Sequence, residues 1–556
     1  MPENQNLLIK ILHDSIVENW ERTALSDMGG MNYKYKELAE NIEKIHLMFE
    51  AAGLKPGDKV ALCGKNSSNW VVVFMACLTA GVVAVPILHE FKPDMIHHLL
   101  NHSESRLLFV DAAIWENLDE KHLPGIEAAI FISELGMPFS RNPRLSDVRN
   151  NLNEHFGRKF PYSFKPDDIS YPSPDMEDLA VLSYTSGSTG MSKGVMLSYR
   201  NIWSNVRFCL DNLPWFKPGD GIVNMLPLAH LYGMVIETLH PLAKGCHCNF
   251  LTKLPSPKII LQAFADVKPK LVITVPLILE KIIKSKVFPL LEKPMMKFML
   301  KVPFLDNHLL GKVKDGLMAA FGGNVRMVIV GGAPLNHEVE SFLYRIGFPV
   351  TVGYGMTECA PLITYAPASE WVPGTVGRIV DRMEIRVESQ DPENIAGNIW
   401  VRGANVMKGY YKNEAATSEV MPDDSGWMNT GDMGLIAADG LISIRGRSKT
   451  MILGPSGQNI YPEEIEQKLN NMPYVAESLV VYSDGQLAAL IYPDLELATK
   501  QGIHTDALSK IMDDNIAALN KDLPAYSQIR KVKLYNEEFE KTPKRSIKRY
   551  LYQHAK

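Results

Sequence analysis

Two short apolar runs, 179–182 and 195–197, enclose the segment Thr185-Ser186-Gly187-Ser188-Thr189-Gly190-Met191-Ser192-Lys193. A loop entered and left by apolar runs is tied to the interior at both ends, which a flexible Ser/Gly linker is not. Glycine lets the backbone turn tightly enough to aim several N–H groups at one point. The Ser and Thr hydroxyls add donors, and Lys193 adds a formal positive charge. That donor set suits a polyphosphate. The Walker loop is excluded, because the glycine–lysine spacing differs and no Ser or Thr follows Lys193 to bind magnesium.

Around this loop, β-branched stretches alternate with helical ones. The pattern predicts buried strands over 59–63, 82–87, 106–110, 179–184, 270–275 and 326–330. Several are continuous apolar runs, the mark of a parallel sheet covered on both faces. After Gly374 the segments shorten and alternate (384–387, 398–401, 441–444), which predicts a smaller, more antiparallel piece. A turn-rich stretch over 446–457 then leads into a helix over 462–470. The fold class expected is α/β, with a large multi-subdomain N-terminal part and a small α+β C-terminal domain. At 556 residues the chain has room for about three or four domain-sized units.

The net charge of −5 gives no reason to expect a nucleic-acid partner. Of the six cysteines (63, 77, 209, 246, 248 and 359), only Cys246-His247-Cys248 lie close together. That spacing is too tight for a usual zinc pair and has no second pair, so free thiols in a reducing, cytoplasmic compartment are expected. The first residues lack the basic-then-apolar pattern of a signal peptide. Residues 71–88 carry no charge over 18 positions, the lower limit for a membrane span. Gly81 divides them, and a buried helix over 68–80 followed by a strand over 82–87 is the reading adopted.

Further constellations carry chemistry. Gly331-Gly332-Ala333-Pro334 follows directly on a predicted strand, where open α/β sheets bind ligands. Gly353-Tyr354-Gly355-Met356-Thr357-Glu358 sets a flat aromatic between two glycines, then a hydroxyl and a carboxylate. The ring suits adenine and the Thr/Glu oxygens suit Mg²⁺. Asp432 follows a tight turn and suits a ribose diol, and Gly446-Arg447-Ser448-Lys449 adds cationic donors 14 residues on.

In this order and spacing, the motifs resemble those of the adenylate-forming enzymes: acyl-CoA synthetases, luciferases and peptide-synthetase adenylation domains. The resemblance runs from about residue 20 to the C-terminus. It is most like long-chain fatty-acid–CoA ligases at Leu226-Pro227-Leu228-Ala229-His230 and at Gly403-Ala404-Asn405-Val406-Met407-Lys408-Gly409-Tyr410-Tyr411. It implies an N-terminal AMP-binding domain over 1–446, a hinge near Lys449 and a mobile C-terminal domain over 447–556. It also implies two half-reactions: an acid and Mg-ATP give acyl-AMP and pyrophosphate, and coenzyme A then displaces AMP.

By the same likeness, Thr185, Ser186, Gly187, Ser188, Thr189, Gly190 and Lys193 hold phosphates, with Thr185 and Glu358 near magnesium. Gly332, Ala333, Pro334, Gly353, Tyr354, Gly355, Met356, Thr357 and Ile444 belong to the nucleotide site. Asp432 and Arg447 bind ribose, and His230 sits beside the substrate carboxylate unless it is a structural histidine. The chain departs from the family pattern where a C-terminal lysine should reach the α-phosphate, because Ser546 stands there. If the segment is extended, Lys544 lies on the same face and is the expected substitute, with Lys548 as second choice.

Residues 293–301 place lysines every four positions with Met and Phe between them, a pattern that suits either a membrane surface or an ordinary amphipathic helix. Residues 275–278 and 234–242 suit an acyl tunnel or plain core. The function expected is an ATP-dependent fatty-acid–CoA ligase. The alternatives are an aryl-acid or acyl-carrier-protein ligase of the same fold, and a catalytically impaired nucleotide- or acyl-binding protein.

Overall fold

The computed structural model describes residues 6–185, 192–253, 255–299, 305–453, 458–483, 486–542 and 547–552. Its largest sheet has eight strands in the order Gly409–Tyr410, Lys193–Ser198, Leu179–Thr185, Val83–Ile87, Lys59–Cys63, Ser105–Val110, Ala128–Phe131 and Phe139–Ser140. The central five are parallel, and the strands beyond them are antiparallel to their neighbours.

Along these strands the side chains alternate between two cores. Val60, Leu62, Leu107 and Phe109 join one, while Ala61, Cys63, Leu108 and Val110 join the other. Both faces are therefore covered, which is why the sequence runs are continuously apolar. Helix Ser68–Ala80 is buried nearly all round and ends at Gly81, whose φ of 73° is the left-handed cap that glycine accepts without strain. Strand Val83–Ile87 follows, dividing the uncharged run at the expected place. Among the described residues, no helix is long and apolar enough to cross a membrane.

Two further mostly or wholly parallel sheets follow. One orders Gly221–Asn224, His247–Phe250, Thr23–Asp27 and Asn32–Lys34; the other orders Leu271–Thr274, Met327–Val330 and Val350–Val352. The first uses Cys246-His247-Cys248 as a strand entry. Both thiols are buried, and His247 Nε2 lies 2.6 Å from the Ser26 hydroxyl.

The expected antiparallel piece is a four-stranded sheet of Met383–Glu388, Gly397–Gly403, Met428–Ile436 and Ile442–Arg447. Its last strand runs three residues beyond the predicted 444, because Asp432 pairs in register with Arg447. Past it, helix Pro462–Leu469, helix Thr505–Lys521 and the sheet of Val475–Ser483, Gln486–Pro493 and Lys531–Leu534 enclose a separate core. Among the described residues, that core, Ile460, Ile465, Leu469, Val480, Ile491 and Met512 among others, draws on none of the preceding sheets.

Candidate active site

Strand Leu179–Thr185 brings Thr185 to the sheet margin directly opposite Lys193 on the returning strand. Of the residues between them, Ser186, Gly187, Ser188, Thr189, Gly190 and Met191 lie outside the described residues. Gly194 packs tightly here, since a Cβ on it would sit 3.1 Å from both Leu182 and Tyr184. On the far side of Lys193–Ser198, Gly409–Tyr410 adds an edge strand registered Tyr410 to Val195. This brings Lys193 Nζ to 4.7 Å above the Tyr410 ring, a cation–π distance. The hydroxyl of that same tyrosine donates to Glu358 Oε1 at 2.9 Å.

Glu358 is buried, and its backbone carbonyl accepts from Met407 N at 2.9 Å. A carboxylate carries two oxygens, of which Tyr410 takes Oε1. The Thr185 hydroxyl and the Glu358 carboxylate are hard oxygen donors of the kind that could hold Mg²⁺ when phosphates complete its shell.

Gly331 to Pro334 follow strand Met327–Val330 at its carboxyl end. Gly332 turns at φ 86°, and Gly332, Ala333 and Pro334 are exposed. The next parallel strand, Val350–Val352, leads into Gly353 and the short strand Tyr354–Gly355. Gly355 admits no side chain, since a Cβ would lie 2.2 Å from the Pro361 carbonyl oxygen. Met356 and Thr357, both half-buried, carry the chain on to Glu358.

The Tyr354 hydroxyl donates to Asp432 Oδ2 at 2.6 Å, and Arg447 Nε approaches Asp432 Oδ1 at 3.2 Å. Asp432 is 5% exposed, and its burial raises the carboxyl pKa against the opposing pull of Arg447 and Tyr354. Three motifs separate in sequence thus meet on one carboxylate. Ile444, registered with Gly434 on the strand that carries Arg447, packs against the main core.

His230 is half-buried at the mouth of a π-helical turn, Tyr232–Leu239, and its backbone N–H donates to the Pro227 carbonyl at 3.0 Å. Two groups outside the predicted set hold this segment. Asn66 donates to the Leu226 carbonyl at 2.6 Å and accepts from Leu228 N at 2.9 Å. Glu237, fully buried, accepts from Met225 N at 3.2 Å and Leu226 N at 3.0 Å. Burial pushes the Glu237 carboxyl well above the usual range despite those two donors. The Tyr232 hydroxyl donates to the Ile329 carbonyl at 3.1 Å, which places the His230 segment beside the Gly331–Pro334 turn. Residues 234–239 and Leu242 are otherwise buried core, whereas Leu277 is exposed.

Lys449 forms an exposed ion pair with Glu419 at 2.8 Å. Lys544 and Ser546 lie outside the described residues. Their flanks, Lys541 and Ile547, form an isolated antiparallel bridge. Lys548 Nζ is held by Glu540 at 2.6 Å. Arg549 pairs with Glu466, which also accepts from Val480 N at 2.6 Å. Of the segment 293–301, helix Pro294–Met299 is described, with Met295 and Phe298 72% and 69% exposed.

Tyr410, Glu237 and Asn66 were not singled out from the sequence. Glu237 left a signal, a lone carboxylate within an apolar run. Tyr410 stood inside a motif noted only for its likeness, and Asn66 left none.

A nucleotide-type site of this form, at the carboxyl ends of parallel strands and joined to a small α+β unit, defines an α/β enzyme class. The chain belongs to the AMP-binding enzyme family: the family model matches residues 12–411, and the AMP-binding enzyme C-terminal domain matches 449–554. It is 27% identical to human long-chain-fatty-acid–CoA ligase 1, over 91% of this chain and 78% of the relative. It is 30% identical to long chain acyl-CoA synthetase 3 of Arabidopsis thaliana, over 83% and 73%. Among solved structures, ATP-bound MatB from Rhodopseudomonas palustris has the same fold (TM-score 0.76, 24% identity, 99% of both chains). So does o-succinylbenzoate CoA synthetase from Bacillus subtilis with its acyl-adenylate (TM-score 0.76, 21% identity, 100% of this chain and 99% of that one).

Proposed function

We propose that this protein is an ATP-dependent acyl-CoA ligase whose acid is a long-chain fatty acid. The observation that carries the site assignment is the meeting of Glu358 and Lys193 on Tyr410, beside the phosphate loop. Named relatives that act on long-chain acids support the choice of substrate.

In the first half-reaction the acid's carboxylate oxygen attacks the α-phosphorus of ATP. An O–P bond forms, the α–β bridge breaks, and pyrophosphate leaves with its electron pair. Displacement at phosphorus needs positioning and charge neutralisation rather than covalent help from the protein. Lys193 and the 185–190 loop would hold the β- and γ-phosphates. Thr185 and Glu358 would hold Mg²⁺, which neutralises charge on the phosphate oxygens. Gly332 to Pro334 and the Tyr354 ring would bracket adenine, Asp432 and Arg447 the ribose, and His230 would face the acid. Lys544 would bring charge to the α-phosphate. In the second half-reaction coenzyme A thiolate attacks the acyl carbonyl and expels AMP.

The two steps need different groups at one acyl carbon. Residues 447–556 would therefore turn about a hinge near Lys449 relative to 1–446, and their separate core supports that division. Met295 and Phe298, exposed next to Lys293, would rest on an anionic membrane surface where fatty acids partition.

Thioester formation measured against acids of rising chain length and against aryl acids, with coenzyme A and with an acyl-carrier protein as acceptor, tests the substrate. Turnover that peaks with long alkyl acids and coenzyme A is expected. A preference for aryl acids or for the carrier protein would contradict it.

A further inference from the structure

Tyr410 touches both charged groups of the phosphate end of the site, yet the reaction as written gives it no task. Its backbone is fixed on every side. Tyr410 N donates to the Thr417 hydroxyl at 2.9 Å, and Tyr411 N donates to the Gly194 carbonyl at 2.7 Å. The Tyr411 hydroxyl donates to Glu104 at 2.8 Å, the residue that caps helix Pro93–Ser103. The edge strand is thus pinned to strand Lys193–Ser198, which leads out of the loop, and to side chains on either side of it. The phenol is itself buried, and burial together with the Glu358 carboxylate pushes its pKa well up.

We propose that Tyr410 is a positioning residue which sets the metal-binding and phosphate-binding groups relative to each other. Its hydroxyl orients the Glu358 carboxylate, and its ring seats the Lys193 ammonium. The proposal rests on the roles given above to Glu358 and Lys193.

The geometry assigns the two tasks to different atoms. Orientation of Glu358 needs the hydroxyl alone, and a phenylalanine lacks it. Seating of Lys193 needs the ring face, which phenylalanine keeps and leucine lacks. A carboxylate already oriented, and an ammonium already placed, have less freedom to lose when metal and nucleotide arrive. A tyrosine that merely filled space would show neither division.

The test uses the full chain with α,β-methylene-ATP, which cannot be cleaved at the reacting bond. Mn²⁺ affinity in the presence of saturating analogue is read by electron paramagnetic resonance. Analogue affinity without metal is read by calorimetry. Loss of a hydrogen bond to a charged group predicts that Tyr410→Phe weakens Mn²⁺ by roughly tenfold and leaves metal-free analogue binding at the wild-type value. Tyr410→Leu is expected to weaken metal-free analogue binding as well, by about two- to tenfold, the cost of ordering a freed lysine. In a Glu358→Gln background, Tyr410→Phe is expected to cost no further Mn²⁺ affinity.

Wild-type Mn²⁺ affinity in Tyr410→Phe overturns the proposal. So does a loss shared equally by metal and metal-free nucleotide alongside a lowered melting temperature, which would mark a packing role. Wild-type protein that binds the analogue but no Mn²⁺ would instead overturn the metal role of Glu358, and the proposal with it.

Discussion

Tyr354 and Asp432, 78 residues apart, share a hydrogen bond of 2.6 Å that caps one oxygen of a buried carboxylate, while Arg447 stands at the other. Tyr354 favours the charged form of Asp432 against its burial. Removing the hydroxyl in Tyr354→Phe should therefore raise the Asp432 pKa. If Asp432 binds the ribose as a carboxylate, the acid limb of AMP binding should move to higher pH by about one unit. Calorimetric titration of AMP between pH 4 and 8 reads this directly. An unmoved limb would remove Asp432 from the ribose site.

The Glu466 carboxyl, buried between Arg549 and Val480 N, is pushed up to about 7 from an ordinary 4.5, with desolvation the largest cause. The folded C-terminal unit therefore holds this proton more tightly than the unfolded chain. Its contribution to stability is fully present below pH 4.5 and is lost as pH rises through about 7. Melting temperature followed across that window should fall, and Glu466→Gln should flatten the fall by an amount on the order of 1–3 kcal/mol.

Glu237 anchors the backbone at Met225 and Leu226, the approach to His230. Glu237→Ala orphans both N–H groups and leaves a cavity, and should cost roughly 3–5 kcal/mol. Glu237→Gln keeps one acceptor and should cost about 1–3 kcal/mol. Urea denaturation ranks the two, and an alanine variant as stable as wild type would exclude an anchoring role.

Gly355→Ala places a Cβ against the Pro361 carbonyl, backbone against backbone, with no flexible side chain to yield. A loss of about 2–4 kcal/mol in stability is expected, with weaker AMP binding through the displaced Tyr354.

Lys544→Ala should depress acyl-AMP formation by about a hundredfold or more, the scale of one lost electrostatic contact to a transition state. Thioester formation from supplied acyl-AMP should be unchanged. Equal adenylation rates in variant and wild type would discard Lys544 as the substitute for the lysine missing at Ser546.

The central sheet was legible in the sequence because two-sided burial leaves a local trace. Val60 and Leu62 face one core, Ala61 and Cys63 the other, so the whole strand is apolar. Strand His247–Phe250 left no such trace, because its composition is polar at the entry and one of its two partners, Thr23–Asp27, lies more than two hundred residues away. The glycine turns announced themselves by residue type. The supports did not: Tyr410 reaches Glu358 across 52 residues and Asn66 reaches Leu226 across 160, and only the fold closes those gaps.

Acid-dependent exchange of labelled pyrophosphate into ATP reads adenylation alone, without coenzyme A, and so tests the account at its centre. Exchange that requires a long-chain fatty acid and Mg²⁺, and that Lys193→Ala abolishes, is the result expected. Folded protein that binds ATP and shows no exchange with any carboxylic acid would contradict it, leaving a nucleotide-binding protein without the chemistry.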